Sequence, residues 1–487
     1  MTFDLTTIGI LFTAALLYSA LLPPQWRGWS LMIGSVVAIY WLQPLSQLRY
    51  ADFVLPTATI ALAVGGWYVT RKPDDDEQKQ SWPLDMAALG LVLGLVVGMA
   101  CFRYIAPDFR LTASRPPNPL WVAVGLVAVQ APLMASRRVV YGQQRRTLML
   151  MIGLVVLLFV FIKATPLVTT VSYVGRTLTG QDTALAGSVD FTWLGFSYVA
   201  FRLIHTFRDR QSGLLPALSL REYLTYIIFF PAYLAGPIDR AEHFKQELAG
   251  VPEMPRLDAN RFTIGTGRIA VGIFKKFVIA DTLAIGLSLN PALAEQVNST
   301  VGMWVLLYGY ALRLFFDFSG YTDIAIGLGI LFGIRLPENF KRPYTKTSIT
   351  TFWQSWHITL SNWARFYVFS PLSRGLLRRK PKPNPMLIVF LAHAATMLTI
   401  GLWHGITWNF AIWGAWHALG LFVHKQWSDR TRKWYRGLKD KPLQRRAWNG
   451  FAWFVTFHFV VLGWVWFALP EVGQSLTVFS RLFGVGN

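Results

Sequence analysis

Apolar residues in this chain gather in runs close to membrane length, separated by short polar connections. A hydrocarbon layer of roughly 30 Å is crossed by about 20 helical residues. The N-terminal third offers six runs near that length, at 5–22, 28–44, 52–70, 84–105, 119–135 and 147–164, and each predicts a spanning helix. Between them lie the Arg71–Trp82 loop, with Asp74, Asp75, Asp76 and Glu77, and the basic stretch Arg137–Arg146. These connections are too short for soluble domains.

From about residue 190 the pattern changes, because Gly, Pro, Arg, Asp and His interrupt the apolar stretches 191–206, 219–238 and 262–290. Polar groups at membrane depth are costly unless they face protein or water. Within the stretch from Phe230 to Arg240, Gly236 and Pro237 predict a helix end, and Asp239 with Arg240 a local ion pair. Further spans are predicted at 300–316, 318–334, 386–402, 406–424 and 448–468, whereas 351–370 is polar and aromatic enough to suggest a tilted or re-entrant segment. No internal repeat calls for another architecture.

Composition agrees with this reading: 53% of the 487 residues are hydrophobic and only 15% charged, far from soluble usage. One integral all-α membrane domain is expected. The net charge of +21 does not indicate nucleic acid, since the basic residues form short clusters between apolar runs. Five basic and no acidic residues occupy 374–382, and nine basic residues face Asp429 and Asp440 in 425–446. Both segments are expected on the cytoplasmic side. The stretch 386–424 between them must then form a hairpin, with Trp403-His404-Gly405 near its turn. His404 would be reached from the outer side or within the membrane, and His357, closer in sequence to a cytoplasmic loop, from the opposite face. The first apolar run resembles a retained span rather than a signal peptide, with Asp4 and Arg27 favouring an outside N-terminus. The single cysteine, Cys101, is expected to be packing.

Chemistry rests on the histidines, eight in all. His393, His417 and His458 read as membrane histidines bonded to a neighbouring helix, and His424 as interfacial. His357 stands out because Thr351-Phe352-Trp353-Gln354-Ser355-Trp356-His357-Ile358-Thr359-Leu360-Ser361 surrounds it with groups able to orient an imidazole. His404 stands out because Gly405 follows it at a predicted helix break, where a substrate or backbone can approach closely. Imidazole suits general-base work near neutral pH. No Gly-x-Ser-x-Gly elbow is present, so a covalent acyl-enzyme is not favoured. A second constellation, Phe315-Phe316-Asp317-Phe318-Ser319-Gly320-Tyr321-Thr322-Asp323, places Asp317 and Asp323 between two predicted helices, where they could orient an imidazole, contact a donor or cap a helix.

The stretch from Phe315 to Gly329, the run from Trp356 to Ser361, Trp403-His404-Gly405 and Gly236-Pro237-Ile238 resemble, in order and spacing over roughly residues 190–470, the membrane-bound O-acyltransferase family, specifically its bacterial branch of alginate O-acetylation and teichoic-acid D-alanylation. The resemblance implies a ring of transmembrane helices with re-entrant segments around a central tunnel, formed by residues 166–487, with 1–165 as N-terminal helices that match the family poorly. It makes His404 the catalytic histidine and His357 the second, which some members replace with asparagine or aspartate. Asp317 matches the family's acidic motif residue. Residues expected near substrate or donor are Asp317, Ser319, Tyr321, Asp323, Trp353, Trp356, Ser361, Asn362, Trp403 and Asn409.

The expected reaction moves an acyl group, acetyl first, from a cytoplasmic thioester on coenzyme A or an acyl carrier protein's phosphopantetheine arm to a hydroxyl of an exported glycan. D-alanyl transfer to a teichoic-acid-like acceptor is the alternative. The basic loops 341–346, 374–382 and 425–446 could also receive an acidic donor or carrier. No bound cofactor or metal is expected; a periplasmic or extracellular acyltransferase partner and membrane lipids are, in a bacterial cytoplasmic membrane. A proton-coupled transporter or flippase is the rival from another class. Metal or haem binding by His357 and His404 lacks recognisable supporting ligands.

Overall fold

The computed structural model describes residues 4–72, 75–105 and 111–485; Asp74 of the acidic loop lies outside them, as do the side chains of Arg137 and Arg138. Every regular element among the described residues is a helix. Among the described residues, six helices are long and apolar enough to cross a membrane. The chain divides into two compact units, Met1–Gly267 with Ala325–Leu336, and Arg268–Ile324 with Pro337–Asn487.

In the first unit, α1 (Leu5–Leu21), α2 (Pro24–Trp41), α3 (Ala51–Thr70), α4 (Trp82–Ile105), α5 (Pro119–Ala135) and α6 (Gln144–Lys163) fall on the six predicted runs. The apolar-run pattern does not anticipate α7 (Thr165–Thr179), because hydroxyls and Arg176 interrupt its apolar face. Arg176 is buried against Asp190, with contacts of 2.6 and 2.9 Å, and Ser172 donates to the same carboxylate. Next come α8 (Phe196–Gln211), α9 (Leu220–Ile228), which starts on a Ser219–Glu222 capping box, and α10 (Ala241–Gly250).

Two expectations for this region need correction. First, α9 ends at Ile228, well before Gly236-Pro237. Pro231 has no N–H for the Ile227 carbonyl four residues earlier; the buried guanidinium of Arg202 donates to that carbonyl instead, at 2.9 Å, and to Ala232 O at 2.8 Å. Gly236 serves a close approach, since a Cβ there would lie 2.4 Å from Ala232 Cα. Second, Arg240 turns to Asp209 at 3.0 Å, while the Asp239 carboxylate bonds His243 Nδ1 at 2.8 Å.

α11 (Ala259–Ile273) continues into π-helical turns over Phe274–Ala280, and α12 (Thr300–Leu331) follows as one helix of 32 residues. The sequence pattern predicts two runs there, divided at Asp317. The helix does not break because its carboxylates find cations: Lys276 reaches Asp317 at 3.0 Å, and Arg268 and Lys275 both reach Asp323 at 2.6 Å. The backbones touch at Gly272 and Gly320, where a Cβ on Gly320 would meet Gly272 O and Lys276 N at 2.8 Å.

The second unit resolves 351–370 into short pieces, α13 (Ile349–Trp353), α14 (Ile358–Ala364), a π-helical turn Arg365–Phe369 and α15 (Ser370–Leu377). None is long enough to span a membrane alone. The predicted hairpin is present: α16 (Pro385–His404) and α17 (Trp408–Gly437) run antiparallel, with Gly401 against Phe410 and Gly414 against Met397. α17 passes beyond the predicted 406–424 and carries part of the basic segment. α18 (Pro442–Ala468) and α19 (Val472–Leu482) complete the unit.

Candidate active site

His404 is the last residue of α16, at the tip of the hairpin. The chain leaves the helix through Gly405 in an extended conformation, and a Cβ there would stand 2.8 Å from the Phe410 ring. A side chain at 405 would therefore displace the Phe410 ring from its place beside His404. The half-buried imidazole lies in an aromatic cup, with ring centroids 4.4 Å from Trp403, 4.6 Å from Phe467, 5.7 Å from Trp413 and 5.8 Å from Phe410. The walls of the cup are aromatic, and the imidazole stays approachable from its open side.

His357 sits between α13 and α14 in the left-handed region, with φ of 42°. A non-glycine residue is strained there and persists only where its surroundings fix it. Asn339 supplies that frame: its carbonyl accepts from Ile358 N at 2.9 Å, and its side-chain oxygen from Thr359 N at 3.2 Å and Thr359 Oγ1 at 2.6 Å. The ring is 3% exposed, 4.7 Å from Phe318 and 6.1 Å from Trp403. Neither ring nitrogen has a hydrogen-bond partner among the described residues. A buried, unsatisfied donor and acceptor is costly to maintain. A neutral imidazole held this way offers one N–H and one lone pair to a reacting group.

Trp403 thus stands between the two histidines, and Phe318 of the acidic motif touches His357. Asp317 and Asp323 of the same motif meet the cations of α11 and the following π turns; Ser319 and Tyr321 are buried on α12. Trp356 packs among Phe340, Tyr344 and Trp464, and Ser361 Oγ donates to the Trp356 carbonyl at 3.1 Å. Trp353 contacts Trp413, which also borders His404. Asn362 is exposed on α14. Asn409 braces the hairpin tip, donating to Leu469 O at 2.7 Å and Ser475 Oγ at 3.0 Å.

Three features escape the sequence reading. Asn339 lies in a loop without any local motif, and Lys275 and Lys276 carry no signal of their own within 262–290; spatial pairing alone reveals them. The third is His417, one helical turn beyond Trp413 on α17. His458 fits the expectation of a bonded membrane histidine, with Nε2 2.8 Å from Tyr308 Oη. His417 does not: fully buried between Trp353 and Trp413, at 5.2 and 4.8 Å, it has no partner for either nitrogen among the described residues. Replacing an unsatisfied buried polar group with an apolar one of similar volume is neutral or stabilising. His417→Leu should therefore keep or raise the unfolding temperature of the detergent-solubilised protein; a large drop would show that the imidazole is bonded in solution.

The chain is similar to known proteins. The model of the membrane-bound O-acyltransferase family matches residues 140–464, which include both histidines. A probable alginate O-acetylase AlgI of Pseudomonas putida is 35% identical over 295 residues, 60% of this chain and 56% of that protein. A teichoic acid D-alanyltransferase of Streptococcus thermophilus is 33% identical over 285 residues, covering 57% and 68%. A peptidoglycan O-acetyltransferase of Helicobacter pylori is 34% identical over 266 residues, covering 55% and 47%. The matched region thus spans about half the length of the O-acetylating relatives. The family match over most of the chain, joined to the apolar helices and the paired histidines, leads to one conclusion: this multi-pass membrane protein belongs to the membrane-bound O-acyltransferase family.

Proposed function

We propose that the protein transfers an acyl group, acetyl in the first instance, from a thioester donor to a hydroxyl of an exported cell-envelope glycan, in the cytoplasmic membrane of a bacterium. The observation that carries this reading is the pair of imidazoles flanking Trp403, one half-buried at a helix break and one buried with neither nitrogen partnered among the described residues. The relatives named as acting on alginate and peptidoglycan support acetyl transfer. Those named as teichoic acid D-alanyltransferases support the alternative acyl group. Coenzyme A or a carrier's phosphopantetheine arm would present the thioester from the cytoplasm.

In the proposed step the acceptor oxygen attacks the thioester carbonyl, a C–O bond forms, and the C–S bond breaks as the tetrahedral intermediate collapses. His404 takes the hydroxyl proton and returns it to the departing sulfur. His357 donates an N–H to the carbonyl oxygen as charge develops there. Asp317 and Asp323, each bound to cations, act as positioning residues by holding α12 and Phe318 against His357.

The test uses the full-length protein in lipid vesicles, a labelled acyl donor and a soluble glycan fragment. His357→Ala should lower kcat by about 10²–10³-fold, the usual loss for one oxyanion donor, with little change in donor KM. Undiminished transfer would remove His357 from the reaction. Movement of glycan across the vesicle without acyl transfer would favour a transporter.

A further inference from the structure

Away from the histidines, α17 and α18 of the second unit enclose a cleft of about 890 Å³ together with residues 347–349. That volume is in the range of small-molecule sites, and the walls have an ordered polarity. The floor is apolar, formed by Leu419 and Val423 on α17 and Val455 and Phe459 on α18. Leu419 and Val423 are each 55% exposed and Val455 is 48% exposed, so the floor opens outward. Toward the C-terminal end of α17 the lining becomes aromatic, with Trp427 stacked on Trp448 at 6.1 Å and Trp434 edge-on to it at 5.0 Å. It ends at Arg432 and Arg436.

Trp448 lies near the start of α18, a helix long and apolar enough to span; tryptophan there matches the level of lipid head groups, which sets the apolar floor at acyl-chain depth. Arg432 and Arg436 are one turn apart, so both can reach one anion. Neither guanidinium has a hydrogen bond or ion pair among the described residues, and no carboxylate is among the described residues that line the cleft. From Arg432 to Leu419 the helix rises about 20 Å, more than the roughly 15 Å depth of one leaflet. The cleft can hold a whole acyl chain below a bound phosphate.

We propose that this cleft seats one anionic phospholipid, its phosphodiester between Arg432 and Arg436, its glycerol level at Trp427 and Trp448, and one acyl chain along Leu419, Val423, Val455 and Phe459. Charge selects the occupant: two unpaired guanidiniums with no facing carboxylate favour a lipid of net negative charge over a zwitterionic one. The apolar floor selects a lipid over a phosphate compound from solution.

The full-length protein in detergent is mixed with equal amounts of dioleoyl phosphatidylglycerol and dioleoyl phosphatidylcholine, and retained lipid is counted by native mass spectrometry. One phosphatidylglycerol per chain should be retained, with a preference of roughly 25-fold, about fivefold for each arginine. Arg432→Gln with Arg436→Gln should abolish the preference. Lys439→Gln with Lys441→Gln, basic positions outside the cleft, should preserve it. Val423→Trp, which fills the floor, should reduce retention of both lipids. Dihexanoyl phosphatidylglycerol should bind far more weakly than the dioleoyl form. Equal retention of the two head groups, the same loss in both double variants, or displacement of the lipid by excess coenzyme A or inorganic phosphate would overturn the proposal.

Discussion

His404→Ala lowers the rate of acyl transfer by about 10²–10⁴-fold, the contribution of a positioned general base, and leaves the protein folded and able to bind donor. Stability should survive because the imidazole is half-buried at the helix end, where its loss leaves an open cup and no closed cavity. The change should appear in kcat, with donor KM near the wild-type value, since the base acts on the acceptor's proton as attack begins. Added imidazole should restore part of the rate in His404→Ala, because the space between Trp403 and Phe467 admits a free ring. The measurement is single-turnover transfer in vesicles with and without imidazole. A variant that transfers at the wild-type rate would end the assignment of His404 as the base, although family membership would stand.

Gly401→Val should have the largest combined effect on stability and rate, though residue 401 touches no substrate. A Cβ at this position would lie 2.3 Å from the Phe410 carbonyl oxygen. That oxygen belongs to the backbone of α17 and cannot swing aside, so the hairpin must open. Overpacking of this kind costs about 1–3 kcal/mol. His404 is three residues further along the same helix, and a shift of about 1 Å at a catalytic group can reduce the rate about 100-fold. Gly94→Ala is the matching control: nothing lies within 4 Å of a Cβ there, and Ala exceeds Gly in a helix interior by about 1 kcal/mol. Thermal unfolding and transfer should both fall in Gly401→Val, with unfolding unchanged or improved in Gly94→Ala. Normal stability and activity in Gly401→Val would mean the helices do not touch at this point.

The six N-terminal helices, the hairpin carrying His404 and the irregular character of 351–370 are all legible in the sequence. A span is set by the length of an apolar run, and a hairpin by the basic residues on both sides of it; both signals are local. The irregular character of 351–370 is legible because a Trp-rich, hydroxyl-rich stretch cannot form an ordinary span, whereas the break at His357 itself is seen only in the structure. The division of α12 at Asp317 was misread for the opposite reason. Charge inside an apolar run normally ends a span, unless another helix neutralises it, and Lys275, Lys276 and Arg268 lie more than 40 residues earlier in the chain. The end of α9 was misplaced in the same way, since Arg202 accepts the task of bonding the carbonyl that Pro231 leaves free.

The sequence alone thus determined the membrane class, the run of helices, the family resemblance and the two histidines worth testing. Hydrophobic length and residue type are properties of single segments and need no partner. Only the tertiary structure placed Trp403 between the histidines, strained His357 through Asn339, left His417 buried without a bond among the described residues and opened the cleft beside α17. Those arrangements depend on which distant side chains meet, and a one-dimensional pattern carries no record of distance.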